Sequence, residues 1–289
     1  MVSVTLDRMA IEEVGLNPQR LAEAIHDQLA RLDGAVPIYE IAAALDIDEI
    51  REQPLSNLEA ALVTTPERDR GRILLNSRSN RQRRRFSLSH ELLHFLNPTH
   101  EQTSTDGFHC TPRDMRLSSG DKVADRHRRQ ESEANSFAIE LLTPRYRLKP
   151  FLGGTPELAQ VVSMAEEFDI SREAAARRFV ELHPDDLAVV FCKDSRFVYV
   201  ACGRDFPRLS LLAGAQCDLG KSVQGTISGF DEVAPDDWLH APQPGGELLA
   251  QTLWQANGHS ITLLRADRSG DDGPGFDDTF ERFVGGQSR

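Results

Sequence analysis

The sequence predicts an α+β protein, in which a mostly helical region with a small antiparallel sheet precedes a β-rich region. Two observations carry this prediction. Apolar residues recur at helical spacing in several stretches of the first 182 residues, with two short strand-like runs between the helices. Beyond His183-Pro184 the apolar residues form short β-type runs instead. We therefore expect a domain at residues 1–150, a helix-turn-helix-like segment at 151–184 and a β-rich domain of unknown role at 185–289.

Two helices, two strands and a third helix are predicted, in this order, in the first third of the chain. A helix begins at Asn17-Pro18 in "NPQRLAEAIHDQLARL", and "VPIYEIAAALDI" is typical of a second, shorter helix. The runs "EAALVTTPE" and "GRILLNS" fit two antiparallel strands joined by the charged turn "ERDRG". The next helix is expected from about Arg83 to Leu96, because Pro98 cannot extend it and disfavours a helical Asn97.

The remaining elements are predicted in the same way. Residues 97–130 are polar and rich in turn residues, and indicate a long surface loop. A helix follows in "ESEANSFAIELLTP", and "TPELAQVVSMAEEFDISREAAARRFVEL" indicates two helices around a short turn, with Ser171 as the cap of the second. Further on, "LAVVFC" and "RFVYVACG" predict a β-hairpin and "HSITLLRADR" another strand, and the last residues, from "SGDDGPGF" onwards, are expected to form a loose tail.

The composition restricts the possible partners. A net charge of −12 argues against nucleic acid as the main partner of the molecule. No apolar run approaches the roughly 18 residues of a membrane span, and the start of the chain lacks the apolar core of a signal peptide. The four cysteines show no C-x-x-C pairing, which suits a reducing compartment. We predict a cytoplasmic protein with no membrane partner.

The stretch "RRRFSLSHELLHFLNPTH" contains the pattern H-E-x-x-H. On a helix, His90 and His94 lie one above the other, so that both imidazoles can reach one metal ion. Glu91 is placed to hold a metal-bound water and to act as the general base. Zinc with three protein ligands keeps a position for water and lowers the pKa of that water to about 7. The pattern therefore predicts a catalytic, zincin-like metal centre, although Mn²⁺ or Fe²⁺ would also accept these donors.

Two residues compete for the third ligand position. His100 would complete H-E-x-x-H-x-x-G-x-x-H, except that Asn97 stands in the glycine position. Glu131, on the next predicted helix, would give an open site with two imidazoles and one carboxylate, and we favour it. Asn135 shares the helical face of Glu131, and its amide oxygen is expected to accept a hydrogen bond from a ligand histidine.

The two helical motifs together resemble the bacterial zinc peptidases typified by ImmA and IrrE. That family has an R-F-[ST]-x-[AS]-H-E-x-x-H helix followed by an E-x-x-A-N-x-F-A-x-x-L-L-x-P helix, and "RRRFSLSHELLHFL" and "ESEANSFAIELLTP" are similar to them over about residues 20–150. The resemblance implies a gluzincin-like metalloendopeptidase, with His90, His94 and Glu131 as ligands and Glu91 as the base. It also implies an XRE-type helix-turn-helix repressor as substrate, cut in a stress or mobile-element response.

Several residues stay outside this scheme. The segment between the two motifs is longer than the family pattern, which leaves His100, His109 and His127 unexplained. His109 and His127 could donate to the oxyanion of a tetrahedral intermediate, although exposed loop histidines are the simpler interpretation. The arginines before the H-E-x-x-H helix favour a solvated, partly ion-paired face, and the mixed charges of the helix-turn-helix-like segment make direct DNA contact unlikely. The rival function is a regulatory protein that binds a repressor or DNA and carries a structural metal.

Overall fold

A computed structural model describes residues 4–30, 32–102, 104, 107–116, 126–217, 223–241 and 247–267. The chain divides into two compact units, an N-terminal unit at Met1–Pro184 and a C-terminal unit at Asp185–Arg289. The predicted loose tail lies outside the described residues, as do residues 103, 105, 106 and 117–125 of the loop predicted at 97–130. No helix among the described residues has the length and apolar character needed to cross a bilayer.

The N-terminal unit combines helices with one small sheet, as predicted for this part of the α+β fold. Its helices are α1 (Arg8–Glu12), α2 (Pro18–Asp27), α3 (Ile38–Ala44), α4 (Arg81–Leu96), α5 (Arg126–Leu142), α6 (Leu158–Phe168) and α7 (Arg172–Leu182). Its strands are β1 (Ile47–Gln53), β2 (Ala60–Thr64), β3 (Gly71–Asn76) and β4 (Phe108–Cys110). Short 3-10 turns cover Asp114–Arg116, Arg145–Arg147 and Lys149–Phe151.

The sheet has the order β1-β3-β2-β4, and it is larger than the sequence predicts. Strands β2 and β3 pair antiparallel, which confirms the predicted pair. Strand β1 pairs parallel with β3 at one edge, so the sheet is mixed rather than wholly antiparallel. The sequence of β1, "IDEIREQ", buries only Ile47 and therefore lacks the alternation that marks a strand. Strand β4 forms the other edge from residues predicted as loop.

Helix α4 begins earlier and ends where predicted. The side chain of Asn80 caps its first turn by accepting a hydrogen bond from the backbone N–H of Arg83, 2.8 Å away. The helix thus starts at Arg81 rather than near Arg83. At the other end Asn97 has an extended conformation, with φ −98° and ψ 101°, as the following proline requires.

The arginines of the first turns of α4 are ion-paired, which offsets their unfavourable place at a helix N-terminus. Arg81 and Arg85 both contact the carboxylate of Asp169, at 2.7 and 3.2 Å. Asp169 lies in the turn between α6 and α7, where it ends α6 in a left-handed conformation with φ +50°. These ion pairs therefore connect α4 with the turn between α6 and α7.

Helix α5 is held against α2 as well as α4. His26 of α2 is 7% exposed, and its Nε2–H donates to the carbonyl oxygen of Leu141 at 2.8 Å. Burial lowers the pKa of His26 below 6.5, despite the opposing effect of this hydrogen bond. The folded state therefore favours the neutral form of the His26 ring.

We expect His26→Gln to reduce the acid sensitivity of the N-terminal unit. Because the pKa of His26 is lower in the folded state, the stability it contributes is present above pH 6.5 and is lost as the pH falls. Glutamine can donate to Leu141 without titrating. Urea unfolding of the metal-free protein above and below pH 6.5 measures the difference. Equal losses of stability on acidification in the variant and the wild type would contradict this assignment.

The C-terminal unit is built on a five-stranded sheet of order β6-β5-β9-β8-β7. Its elements are β5 (Leu187–Lys193), β6 (Arg196–Cys202), β7 (Asp231–Val233), α8 (Pro235–Trp238), β8 (Glu247–Trp254) and β9 (His259–Asp267). The hairpin of β5 and β6 and the strand β9 confirm the predictions for these stretches. Strands β7 and β8 were not predicted.

Candidate metal centre

The helices α4 and α5 bring three side chains to one buried point. His90 and His94, one turn apart on α4, have their Nε2 atoms 3.1 Å from each other. Glu131 of α5 places one carboxylate oxygen 3.1 Å from Nε2 of His90 and the other 3.4 Å from Nε2 of His94. All three side chains are 0% exposed.

Hydrogen bonds on the far side of each ring fix which nitrogen faces this point. Nδ1–H of His90 donates to the amide oxygen of Asn135 at 2.9 Å. The amide N–H of Asn135 donates in turn to the backbone carbonyl of Asp114 at 2.9 Å, which sets the orientation of the amide. With Nδ1 protonated, the lone pair of the neutral ring is on Nε2 and points toward Glu131.

A second chain of hydrogen bonds orients His94. Nδ1–H of His94 donates to Nδ1 of His100 at 2.9 Å, and Nε2–H of His100 donates to Glu133 at 3.0 Å. His100 is 3% exposed. It therefore lies behind His94, on the side away from Glu131, and both of its ring nitrogens are engaged.

The arrangement fits a cation between the three side chains. Burial alone would lower the pKa of His90, but the hydrogen bond and the charge of Glu131 raise it, so in the absence of metal this ring favours a proton that a bound cation would replace. Burial opposes ionisation of Glu131, but the histidines outweigh it and hold its pKa far below its usual range. Burial lowers the pKa of His94 to about 3, so this ring is neutral as a ligand must be. Two imidazoles and a carboxylate are a donor set suited to Zn²⁺.

Glu91 lies next to this donor set with a different environment. It is 0% exposed, and neither of its carboxylate oxygens has a hydrogen bond of ordinary geometry among the described residues. Burial raises its pKa from 4.5 to about 7, against the opposing effect of His90. A carboxylate with a pKa near neutrality can both accept and release a proton at physiological pH.

Strand β4 contributes the residue that sequence reasoning missed. The Phe108 ring stacks on the His94 ring, with 4.7 Å between the centroids. Cys110, two residues further along the strand, faces the same side and is 0% exposed. Its sulfur and one donor atom each of His90, His94 and Glu131 lie within 4.8 Å of one another. No motif spacing along the chain connects Cys110 with the histidines of α4, so the sequence does not indicate this position.

Arg68 was also missed, since it belongs to the turn between β2 and β3. Its buried guanidinium donates to the backbone carbonyl of His94 at 2.7 Å, and also to those of Asn97 and His100. The carbonyl groups of His94 and Asn97 lie at the C-terminal end of α4, where a positive charge is favourable. Arg68 therefore fixes the end of α4 and the segment that carries His100.

The other two candidate histidines do not join the donor set. His109 is the central residue of β4 and faces away from the side that Phe108 and Cys110 share. His127, one turn before Glu131, has its Nε2 3.7 Å from a Glu131 oxygen, and its side chain is 39% exposed. Of the two, His127 is the one at the exposed border of the centre.

The two hydrogen bonds that link His94, His100 and Glu133 lead to a testable expectation. Glu133→Ala should weaken Zn²⁺ binding by about 10- to 100-fold, the usual cost of losing a partner behind a ligand histidine. Arg129→Ala is the matched control, because Arg129 contacts Glu133 only from the exposed side, at 2.9 Å. Competition with a chelating dye measures both affinities. Equal affinities of Glu133→Ala and the control would show that these hydrogen bonds do not orient His94.

The fold and the metal centre together define a class of protein. An H-E-x-x-H helix that faces a carboxylate on a second helix is the arrangement of metallopeptidases with a single catalytic metal. Residues 43–180 match the family model of the IrrE N-terminal-like domain, a peptidase family. The match confirms the predicted resemblance. It also includes α6 and most of α7.

A solved structure described as a Mycobacterium tuberculosis transcriptional regulator matches with a TM-score of 0.55 and 13% sequence identity. The match covers 89% of this chain and 79% of the other. At this identity the likeness is one of fold alone. No curated protein matches the chain.

Proposed function

We propose that the protein is a zinc-dependent endopeptidase, with His90, His94 and Glu131 as ligands and Glu91 as the general base. The observation that carries this proposal is the carboxylate of Glu91, buried beside the donor set without an ordinary hydrogen-bond partner. A buried carboxylate of this kind is costly to keep in a folded protein. A purely structural metal site needs no such group, whereas water activation does.

In this mechanism a bound zinc ion would supply an acidified water and polarise the peptide carbonyl. Glu91 takes the proton of the attacking water and delivers it to the leaving amine. Asn135 and His100 keep the imidazoles in the ligand tautomer through their hydrogen bonds. His127, at the exposed border, is the candidate donor to the developing oxyanion.

The substrate that we propose is an XRE-type helix-turn-helix repressor, cut in the cytoplasm during a stress or mobile-element response. The match of residues 43–180 to a peptidase family supports a protein substrate. The short strand β4, next to the centre, is an edge strand of the sheet that the described residues form. An extended peptide can add to such an edge by backbone hydrogen bonding.

We propose no direct contact with DNA. Arg178 of α7 is 1% exposed and donates to the Glu140 carboxylate of α5 at 3.0 Å. Its charge therefore stabilises the packing of α7 instead of reaching a phosphate.

The test is incubation of the zinc-loaded protein with the repressor encoded beside it, followed by mass spectrometry of the products. We expect a single cut that Glu91→Gln abolishes. Digestion of casein at many bonds would indicate a general peptidase instead. An intact repressor that nevertheless forms a stable complex with the zinc-loaded protein would favour the non-proteolytic alternative, in which the metal is structural.

A further inference from the structure

The position of Cys110 is fixed by three contacts of its strand. Ala60 of β2 pairs with Cys110, and the backbone N–H of Glu59 donates to the Cys110 carbonyl at 2.9 Å. Phe108 packs on His94 on the same face of the strand. The sulfur is thus held beside the donor set by backbone pairing and ring packing, independently of any metal.

The four donors match the ligands of a structural zinc site in number and in donor type. Structural zinc sites have four protein ligands, whereas catalytic sites have three and leave the fourth position to water. His90, His94 and Glu131 supply three donors, and a thiolate is a stronger zinc ligand than water. The sulfur of Cys110 lies within 4.8 Å of each of the other donor atoms, in a cluster that is fully buried.

We propose that Cys110 is a fourth, displaceable metal ligand that closes the centre in the resting protein. This inference rests on the proposed function, because it concerns the same metal. When Cys110 becomes a ligand, its thiol loses a proton, which the adjacent Glu91 carboxylate or solvent accepts, and its sulfur takes the position of the water. When Cys110 leaves, the sulfur regains a proton and water returns. The closed state therefore lacks the attacking water, and the protein is latent until Cys110 is displaced.

Cobalt substitution tests this ligand directly in the full-length protein. Co²⁺ bound by a thiolate absorbs in the near ultraviolet through sulfur-to-metal charge transfer, whereas its visible bands report tetrahedral coordination whatever the donors. We expect the wild type to show both features and Cys110→Ser to lose only the charge-transfer band. Cys202→Ser is the matched control, because Cys202 is an exposed thiol of β6 and should leave the spectrum unchanged.

Zinc affinity gives a second readout in the same three proteins. The loss of a direct ligand should weaken binding by at least about tenfold, since even an indirect partner costs that much. Circular dichroism shows whether each variant is folded.

The outcomes separate this inference from the proposed function. Visible tetrahedral bands without a charge-transfer band in the wild type would overturn the role of Cys110 and leave the centre of His90, His94 and Glu131 intact. A charge-transfer band that persists in Cys110→Ser would also overturn it, because the thiolate would then be elsewhere. A wild-type protein that binds no Co²⁺ would overturn both proposals.

Discussion

Glu91→Gln is expected to lower the rate of peptide hydrolysis by about 10²- to 10⁴-fold while zinc remains bound, because general acid–base catalysis contributes this factor. Glutamine has nearly the shape of glutamate but cannot take the proton of the water. Cleavage of the repressor under single-turnover conditions measures the rate, and elemental analysis measures the zinc content. Glu166→Gln, on the exposed side of α6, makes the same change in charge away from the centre and should be fully active.

The same variant has a second expected effect, on stability without metal. Burial raises the pKa of Glu91 from 4.5 to about 7, so the folded state disfavours its ionised form. The contribution of Glu91 to stability is therefore fully present below pH 4.5 and is lost as the pH rises through about 7. The metal-free wild type should lose stability over this range relative to Glu91→Gln. An inactive variant that is also less stable than the wild type above pH 7 would indicate misfolding instead of a lost base.

The part of the centre on α4 could be predicted because its geometry is local. The spacing of His90 and His94 is meaningful on any helix, and the apolar residues around them together with Pro98 indicate that a helix is present and where it stops. The facing of Glu131 toward these histidines depends on how α5 packs on α4. Glu131 could therefore be predicted as a ligand only by weighing it against His100 and from the family motif, because no local spacing links it to the histidines.

The rest of the centre depends on contacts that no local pattern encodes. Cys110 reaches the donor set only because β4 pairs with β2, and a three-residue strand is too short to show an alternation. His100 was considered as a ligand because of its spacing from His94. Its ring instead contacts the far nitrogen of His94, after a turn at Asn97 that Arg68 stabilises. Both placements follow from tertiary packing, which spacing along the chain does not report.

Glu131→Gln should remove most of the metal affinity of the centre and, with it, the stabilisation that metal confers. Zinc at 100 times its dissociation constant adds about 2.7 kcal/mol to the free energy of unfolding, which corresponds to roughly 5 to 10 °C in melting temperature for a unit of this size. Glutamine keeps the volume of Glu131 but withdraws the one negative charge that contacts both imidazoles, at 3.1 and 3.4 Å. Differential scanning fluorimetry with and without zinc measures the shift.

The comparison of Glu131→Gln with His100→Gln decides which of the two candidate third ligands holds the metal. If Glu131 is a ligand and His100 only orients His94, then Glu131→Gln abolishes the zinc-dependent shift, whereas His100→Gln reduces it by the smaller amount expected of an indirect partner. Glu166→Gln should retain the full shift. The reverse order, with a full shift in Glu131→Gln and none in His100→Gln, would require the metal to lie on the other side of His94. A metal in that position would not be bound by the proposed donors. Glu91 and Cys110 could not reach it, because they lie on the same side of His94 as Glu131.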